Sequence, residues 1–214
     1  MKRSFRFRLL NLLFLCGLCV NTSLAEKLSE GDGVQPKQVL IVGLKDNVRS
    51  NYFYKGMIAE ETGMQADSVD FVYNHIIAEN IAGNTKNKAY KFVLANENSI
   101  PADFFEEVKI NENEEECASD LSSVPLDEMR KIMNDADADY LLVLNQHYLK
   151  WQDQPLRTLF HIVSYSLFDK DKKEIITGNN FFTCMNLEEP NKIRKMSKKS
   201  SVKIASNVIK ALED

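Results

Sequence analysis

From Gln38 to Leu212 the apolar positions switch repeatedly between a period of two and a period near 3.6, and the switches outline the elements. Val39-Leu-Ile-Val-Gly-Leu44 is an unbroken apolar run and predicts a buried strand. Asp67-Ser68 can cap a helix beginning near Val69, whose apolar positions Val69, Val72, Tyr73, Ile76, Ile77 and Ile81 keep helical spacing up to Gly83. Tyr90–Ala95 predicts a second strand. An irregular stretch follows, with the acidic Glu112 and Glu114–Glu116 expected in a solvated loop. Pro125 opens a helix over Leu126–Ala136, with Leu126, Met129, Ile132 and Met133 facing inward. Three strand-like runs then follow, Ala138–Trp151, Thr158–Phe168 and Ile175–Met185, joined by turns at Asp153–Pro155 and Asp169–Lys173. A final helix spans Asn191–Leu212, its stripe made by Ile193, Met196, Ile204, Ala205, Val208, Ile209 and Leu212. The order β-α-β-α-β-β-β-α implies an α/β (mixed α+β) fold. The mixed sheet would end in a three-strand meander, with helices packed mainly on one face.

The segment before this domain changes the compartment and the charge. Lys2, Arg3, Arg6 and Arg8 open the chain, and no acid precedes Glu26. Leu9–Val20 is almost wholly apolar, and Ser23-Leu-Ala25 supplies small residues at a cleavage site. Residues 1–25 therefore read as a signal peptide cut between Ala25 and Glu26, residues 26–37 as a flexible lead-in, and residues 38–214 as a single α/β domain. The apolar run is too short for the ~20 residues of a membrane-spanning helix, so a transmembrane anchor is not expected. Leu15 and Leu18 stand before Cys16 and Cys19 where a lipoprotein signal needs small residues, which disfavours a lipid anchor. The expected location is periplasmic or secreted. Cleavage removes four cations from 27 and leaves 23 against 31 acids, a net charge of −8 that disfavours nucleic acid as a partner. Two cysteines remain, Cys117 and Cys184. In an oxidising compartment they are a disulfide candidate; the alternative is two separate thiols.

Candidate chemistry is sparse. His75 falls on the polar side of its helix and is expected to be solvated. His147 and His161 would oppose each other across a hairpin symmetric about Gln154, ~5 Å apart at Cβ, and are the candidate metal ligands for Zn²⁺ or Cu²⁺. Asn145 is the only nearby third donor, whereas zinc takes three or four ligands, so two half-exposed strand histidines are the competing expectation. No catalytic residue and no cofactor are assigned. Ser164-Tyr-Ser166 lacks the glycine-flanked elbow of a serine nucleophile, and Gly43–Val48 lacks phosphate-loop glycine spacing. The acids around Cys117 disfavour its thiolate.

Two surfaces are candidate partner sites. Lys192, Arg194, Lys195, Lys198, Lys199 and Lys203 crowd the first half of the last helix, where the helix dipole disfavours cations. They could form a solvated face, pair internally with the acidic Glu112–Glu116 loop, or dock an anionic envelope component such as lipid headgroups. The hairpin tip carries Tyr148, Trp151 and Pro155 beside Gln152 and Gln154, either a contact surface or aromatics folded back on the core. Tyr52-Phe53-Tyr54 is expected to pack inward.

Asp137-Ala-Asp-Tyr-Leu-Leu-Val-Leu-Asn145, following a helix, resembles the alanine-aspartate step into the third strand of bacterial envelope accessory domains. Those are the TolB amino-terminal domain, the curli-secretion channel subunit and the transport-auxiliary lipoproteins. Leu167–Gly178 is similar to their hairpin, in which an aspartate ends one strand and a charged turn leads to the next. The resemblance spans Gln38–Leu212 and implies a non-catalytic interaction or assembly role in the envelope. The contrasting function is a small metal-assisted hydrolase centred on His147 and His161.

Overall fold

The computed structural model describes residues 35–96, 100–111 and 116–214. The expected signal peptide, most of the lead-in, and Glu112, Glu114 and Glu115 of the acidic run lie outside the described residues. Among the described residues no helix is long and apolar enough to cross a membrane.

The first apolar run forms β1 (Lys37–Gly43), and β2 (Val48–Ser50) follows a tight turn. Two helices come next, α1 (Lys55–Thr62) and α2 (Val69–Asn84), the second entered through a 3-10 turn over Ala66–Ser68. Ser68 does not cap α2 as expected; its hydroxyl donates back to the Gln65 carbonyl. β3 (Tyr90–Leu94), α3 (Ala102–Glu107), β4 (Lys109–Asn111), β5 (Ala118–Asp120) and α4 (Leu126–Asp135) lead to the long strands β6 (Tyr140–Gln152), β7 (Thr158–Asp169) and β8 (Glu174–Cys184). α5 (Pro190–Glu213) closes the chain.

The main sheet runs β3-β1-β6-β7-β8, with β2 also on β6. β1 pairs in parallel with β3 and β6, while β6, β7 and β8 form an antiparallel meander. The mixed fold therefore matches the sequence expectation. Its helix placement follows from handedness. The β1–β3 crossover moves outward, and the β3–β6 crossover returns past β1. Two right-handed crossovers in opposite directions must put their helices on opposite faces. α2, joined by α1 and α5, packs on one face against Val39, Ile41, Leu142, Leu144, Leu149 and Val163. The shorter α3 and α4 cover Leu40, Val42, Leu141 and Val143 on the other. β1 is thus buried on both sides, which is why its sequence is a solid apolar run rather than an alternation. Met129 and Met133 anchor α4 with no exposed surface, each worth about 1.5–3 kcal/mol of burial.

Asn145 breaks the alternation of β6. The β6–β7 register shifts between Leu144 and Gln146, so Asn145 is the extra residue of a β-bulge. Upstream, even-numbered residues (Leu142, Leu144) face α2; downstream, odd-numbered ones (His147, Leu149, Trp151) do. The bulge is what brings both central histidines to the same side of the sheet.

Both motifs behind the envelope resemblance are local devices. Asp137 takes a left-handed conformation (φ 50°) after α4, and Asp139 accepts from the Gln38 backbone N–H at 2.9 Å, tying β6 to β1. At the end of β7, Asp169 Oδ1 accepts from the N–H groups of Asp171 and Lys173, shaping the charged turn into β8.

Candidate functional site

His147 pairs with Val163 and His161 with Leu149, so the two are diagonal neighbours and not directly opposed. The hairpin is centred one position later than an axis on Gln154 requires. Both rings nevertheless touch: His147 Nε2 stands 3.0 Å from His161 Nδ1. His161 Nε2 lies 3.2 Å from Cys184 Sγ, and the thiol donates to the Asn186 carbonyl at 2.9 Å. With the thiol proton used there, a neutral His161 donates from Nε2 to sulfur and accepts at Nδ1 from His147 Nε2–H. His147 Nδ1 is then a bare acceptor, and it has no hydrogen-bond partner. Tyr73 packs edge-on against His147, ring centroids 4.6 Å apart, and Phe182 stacks on His161 at 4.5 Å.

The expectation of half-exposed histidines fails: His147 is 1% and His161 0% exposed. Burial drives the His147 pKa down to about 3, and burial with the neighbouring imidazole holds His161 well below its ordinary value. Burial, with Glu188 nearby, pushes the Cys184 thiol up to about 12. His147 and Cys184 flank the His161 ring on its two sides, so the three donors form a line, not a convergent set. Among the described residues no group of three or more His, Cys, Asp or Glu is placed to hold a metal ion. Tyr73 and Cys184, the neighbours sequence reasoning missed, come from distant elements and left no local signal.

Cys117 lies on the other face, where its backbone N–H donates to Ser164 Oγ. Cys184 belongs to the core beneath α2 and α5. The sheet separates the candidate bridge partners, and both are unbridged, buried thiols in the structure. Around Cys117 a polar network docks β5 to the sheet. Asn145 Nδ2 donates to the Cys117 carbonyl (2.7 Å) and Ser166 Oγ (2.9 Å), and Ser119 Oγ donates to Asn145 Oδ1 (2.6 Å). The signal available in the sequence was the polar Asn145 in the middle of an apolar strand.

The expected contact surfaces are rearranged. Tyr148 is buried in the sheet, away from the hairpin tip, because it sits past the bulge on the face opposite α2. Trp151 does join an aromatic group: Tyr52 stacks on it at 6.0 Å, Phe53 meets it edge-on at 5.6 Å, and the Arg157 guanidinium lies over its ring at 5.5 Å. Tyr52 and Tyr54, expected inside, are 62% and 66% exposed. Leu156 at the tip and Met185 beyond β8 are also largely exposed.

The basic helix divides by face. Arg194 pairs with Glu79 of α2, and Lys192 with Glu188 at 2.7 Å. Lys195, Lys198, Lys199 and Lys203 are exposed and form no ion pair among the described residues. The internal pairing with the acidic run rests on Glu112, Glu114 and Glu115, which lie outside the described residues.

A further cleft of about 410 Å³ opens at the carboxyl end of β1, lined by Gly43–Asp46, Asp67, Asp70, Phe71, Asn74 and Phe105. Such crevices commonly bind ligands in α/β sheets. Here Asp46 and Asp70 are engaged internally, and Lys45 lies over the Phe105 ring. Lys55 Nζ bridges Asp46 (2.8 Å) and Asp70 (2.6 Å), lowering the Asp46 pKa, while Asp70 Oδ1 takes the Val48 N–H. Asn47 and Asn74 bond each other and the carbonyls of Leu144 and Leu44 beneath it. The arrangement holds the β1–β2 turn to α2.

No protein-family model matches the chain, and no curated protein matches it. Several solved structures are similar. A hypothetical protein of Chlamydia trachomatis is 10% identical over 81% of this chain and 95% of its own, with a TM-score of 0.46. PelC of Paraburkholderia phytofirmans, solved as a dodecamer, is 8% identical over 81% and 89%, with a TM-score of 0.39. A lipoprotein of Neisseria meningitidis is 13% identical over 80% and 99%, with a TM-score of 0.35. All three are bacterial proteins.

Proposed function

We propose that this chain is an exported, periplasmic interaction or assembly module of the bacterial cell envelope that performs no catalysis. The observation that carries the reading is the cluster beside the hairpin tip in which the exposed Tyr52 and Arg157 flank the half-buried Trp151, whose ring packs against the core. Tyrosine, tryptophan and arginine are the side chains that dominate binding energy at protein interfaces. The groups with chemical potential point the other way, since both central imidazoles are sealed in the core and uncharged. The pattern of residues 1–25 supports export.

Site-specific photocrosslinking from position 52 or 156 in intact cells, followed by identification of the adduct, tests the role. A discrete envelope protein should be captured, and Trp151→Ala with Arg157→Ala should lower that capture by about tenfold or more without a loss of folding. Alkaline-phosphatase fusions to Leu44 and Leu212 test export. Equal capture by the double variant, or inactive fusions, would overturn the proposal.

A further inference from the structure

Among the described residues β8 is the outermost strand on its side of the sheet, paired only with β7. Its edge protection is slight: Glu174–Cys184 has no lysine and no proline, its one charge is Glu174, and its register shift falls at Ile175, away from residues 179–183. α5 runs beside it, and Lys192, Met196, Lys199 and Lys203 follow helical spacing along the side turned to β8. Between strand and helix lie two clefts that share Thr183 and Met196. One, about 530 Å³, reaches from Arg157 and Met185 to Lys192. The other, about 390 Å³, is lined by Asn180, Phe181, Phe182, Thr183, Met196, Lys199, Ser200 and Lys203.

The second cleft has a further property. Asn180 and Ser200 are 8% and 6% exposed, and Asn180 Nδ2 and Ser200 Oγ are buried without a hydrogen-bond partner. Two orphaned donors and two unpaired ammonium groups thus border one space, beside a free strand edge and the exposed Phe181. Leaving such polar groups unmade is costly, whereas a carboxylate would accept from all of them.

We propose that this groove receives an extended acidic segment of a partner protein, which adds to the β8 edge as a further strand and seats a carboxylate among Asn180, Ser200, Lys199 and Lys203. Main-chain pairing supplies affinity and the alternate side chains supply selection, as in other strand-addition interfaces. The charge selects the occupant. No acid lies on β8 between Ile175 and Cys184, so the lysines are not answered from within the strand. A second copy paired edge to edge about a two-fold would bring the two lysine rows together, which like-charge repulsion opposes. The inference rests on the interaction-module reading and names its partner chemistry.

The test uses an acetylated, amidated peptide of alternating glutamate and valine, a counterpart with lysine for glutamate, and phosphatidylglycerol vesicles. Binding is followed by fluorescence anisotropy and by amide hydrogen exchange. The glutamate peptide should bind, protect the amides of residues 179–183, and lose affinity as salt rises. Lys199→Glu with Lys203→Glu should weaken it by about tenfold or more and admit the lysine peptide, with Ser200→Ala giving a smaller loss. Failure to bind, equal affinity in the charge-reversed variant, or protection elsewhere would overturn the proposal. So would lysine-dependent binding to vesicles alone, which marks a lipid surface, or self-association abolished by Thr183→Pro, which marks a second copy. If the glutamate peptide fails to bind while the protein still crosslinks its envelope partner through position 52, this groove is excluded and the module reading survives.

Discussion

His147 and His161 are the residues on which chemistry and structure diverge most. Each is neutral in the folded protein, while the unfolded chain takes up a proton on each below about pH 6.5. Protonation therefore favours the unfolded state. The stability is complete above about pH 6.5 and declines as the pH falls toward the depressed folded value of about 3. The slope is at most about 1.4 kcal/mol per pH unit for each ring. Urea unfolding at pH 7, 6 and 5 should show this decline, and His147→Phe with His161→Phe should remove that part of it. An unchanged slope would assign the acid sensitivity elsewhere. The thiols give a second prediction at this scale. Cys117 and Cys184 should be unreactive to Ellman's reagent in the native protein, and both should titrate after denaturation without reductant, since the sheet keeps them apart. A thiol count near zero in denaturant would contradict the separate-thiol arrangement.

Among the elements, β6 does the most with the least sequence. A single extra residue, Asn145, reverses which side chains face α2, and its amide group also holds β5 to the sheet. Asn145→Leu would orphan the buried Ser119 hydroxyl and take one partner each from Ser166 Oγ and the Cys117 carbonyl, at a cost of about 1–3 kcal/mol in chemical denaturation. A loss below half a kcal/mol would mean that the network contributes little. β1 is equally exacting at its carboxyl end. A Cβ at Gly43 would lie 2.5 Å from Asn74 Cβ, so Gly43→Ala should destabilise by about 1–3 kcal/mol by forcing α2 off the strand. An unaltered melting temperature would show that α2 yields freely. The two-stranded β4–β5 ribbon, tied to the sheet mainly through serine and asparagine side chains, should exchange its amides before β1, β6 and β7 do.

Across the whole molecule, the parallel half of the sheet is closed by helices on both faces, and the meander ends in an open edge beside a basic helix. That asymmetry directs the search for function outward, to the hairpin tip and the β8 groove. The periodicity of α2, α4 and α5 and the apolar runs of β1, β3 and β6–β8 were legible because they depend on local spacing, and they determined the mixed fold and its order. The short α1, α3, β2, β4 and β5 were not legible: three to eight residues carry too little periodicity to stand apart from loop. The candidate site divides in the same way. Sequence alone placed His147 and His161 in facing strands and concentrated charge on α5. Only the tertiary structure decided that a bulge and a shifted hairpin would bury both rings, that Cys184 and Tyr73 would join them, and that Cys117 would lie across the sheet. It alone also decided which lysines meet a carboxylate and which border an unanswered groove. Periodicity is a property of neighbours in the chain, whereas burial, register and pairing depend on residues up to a hundred or more positions away, such as Arg194 and Glu79.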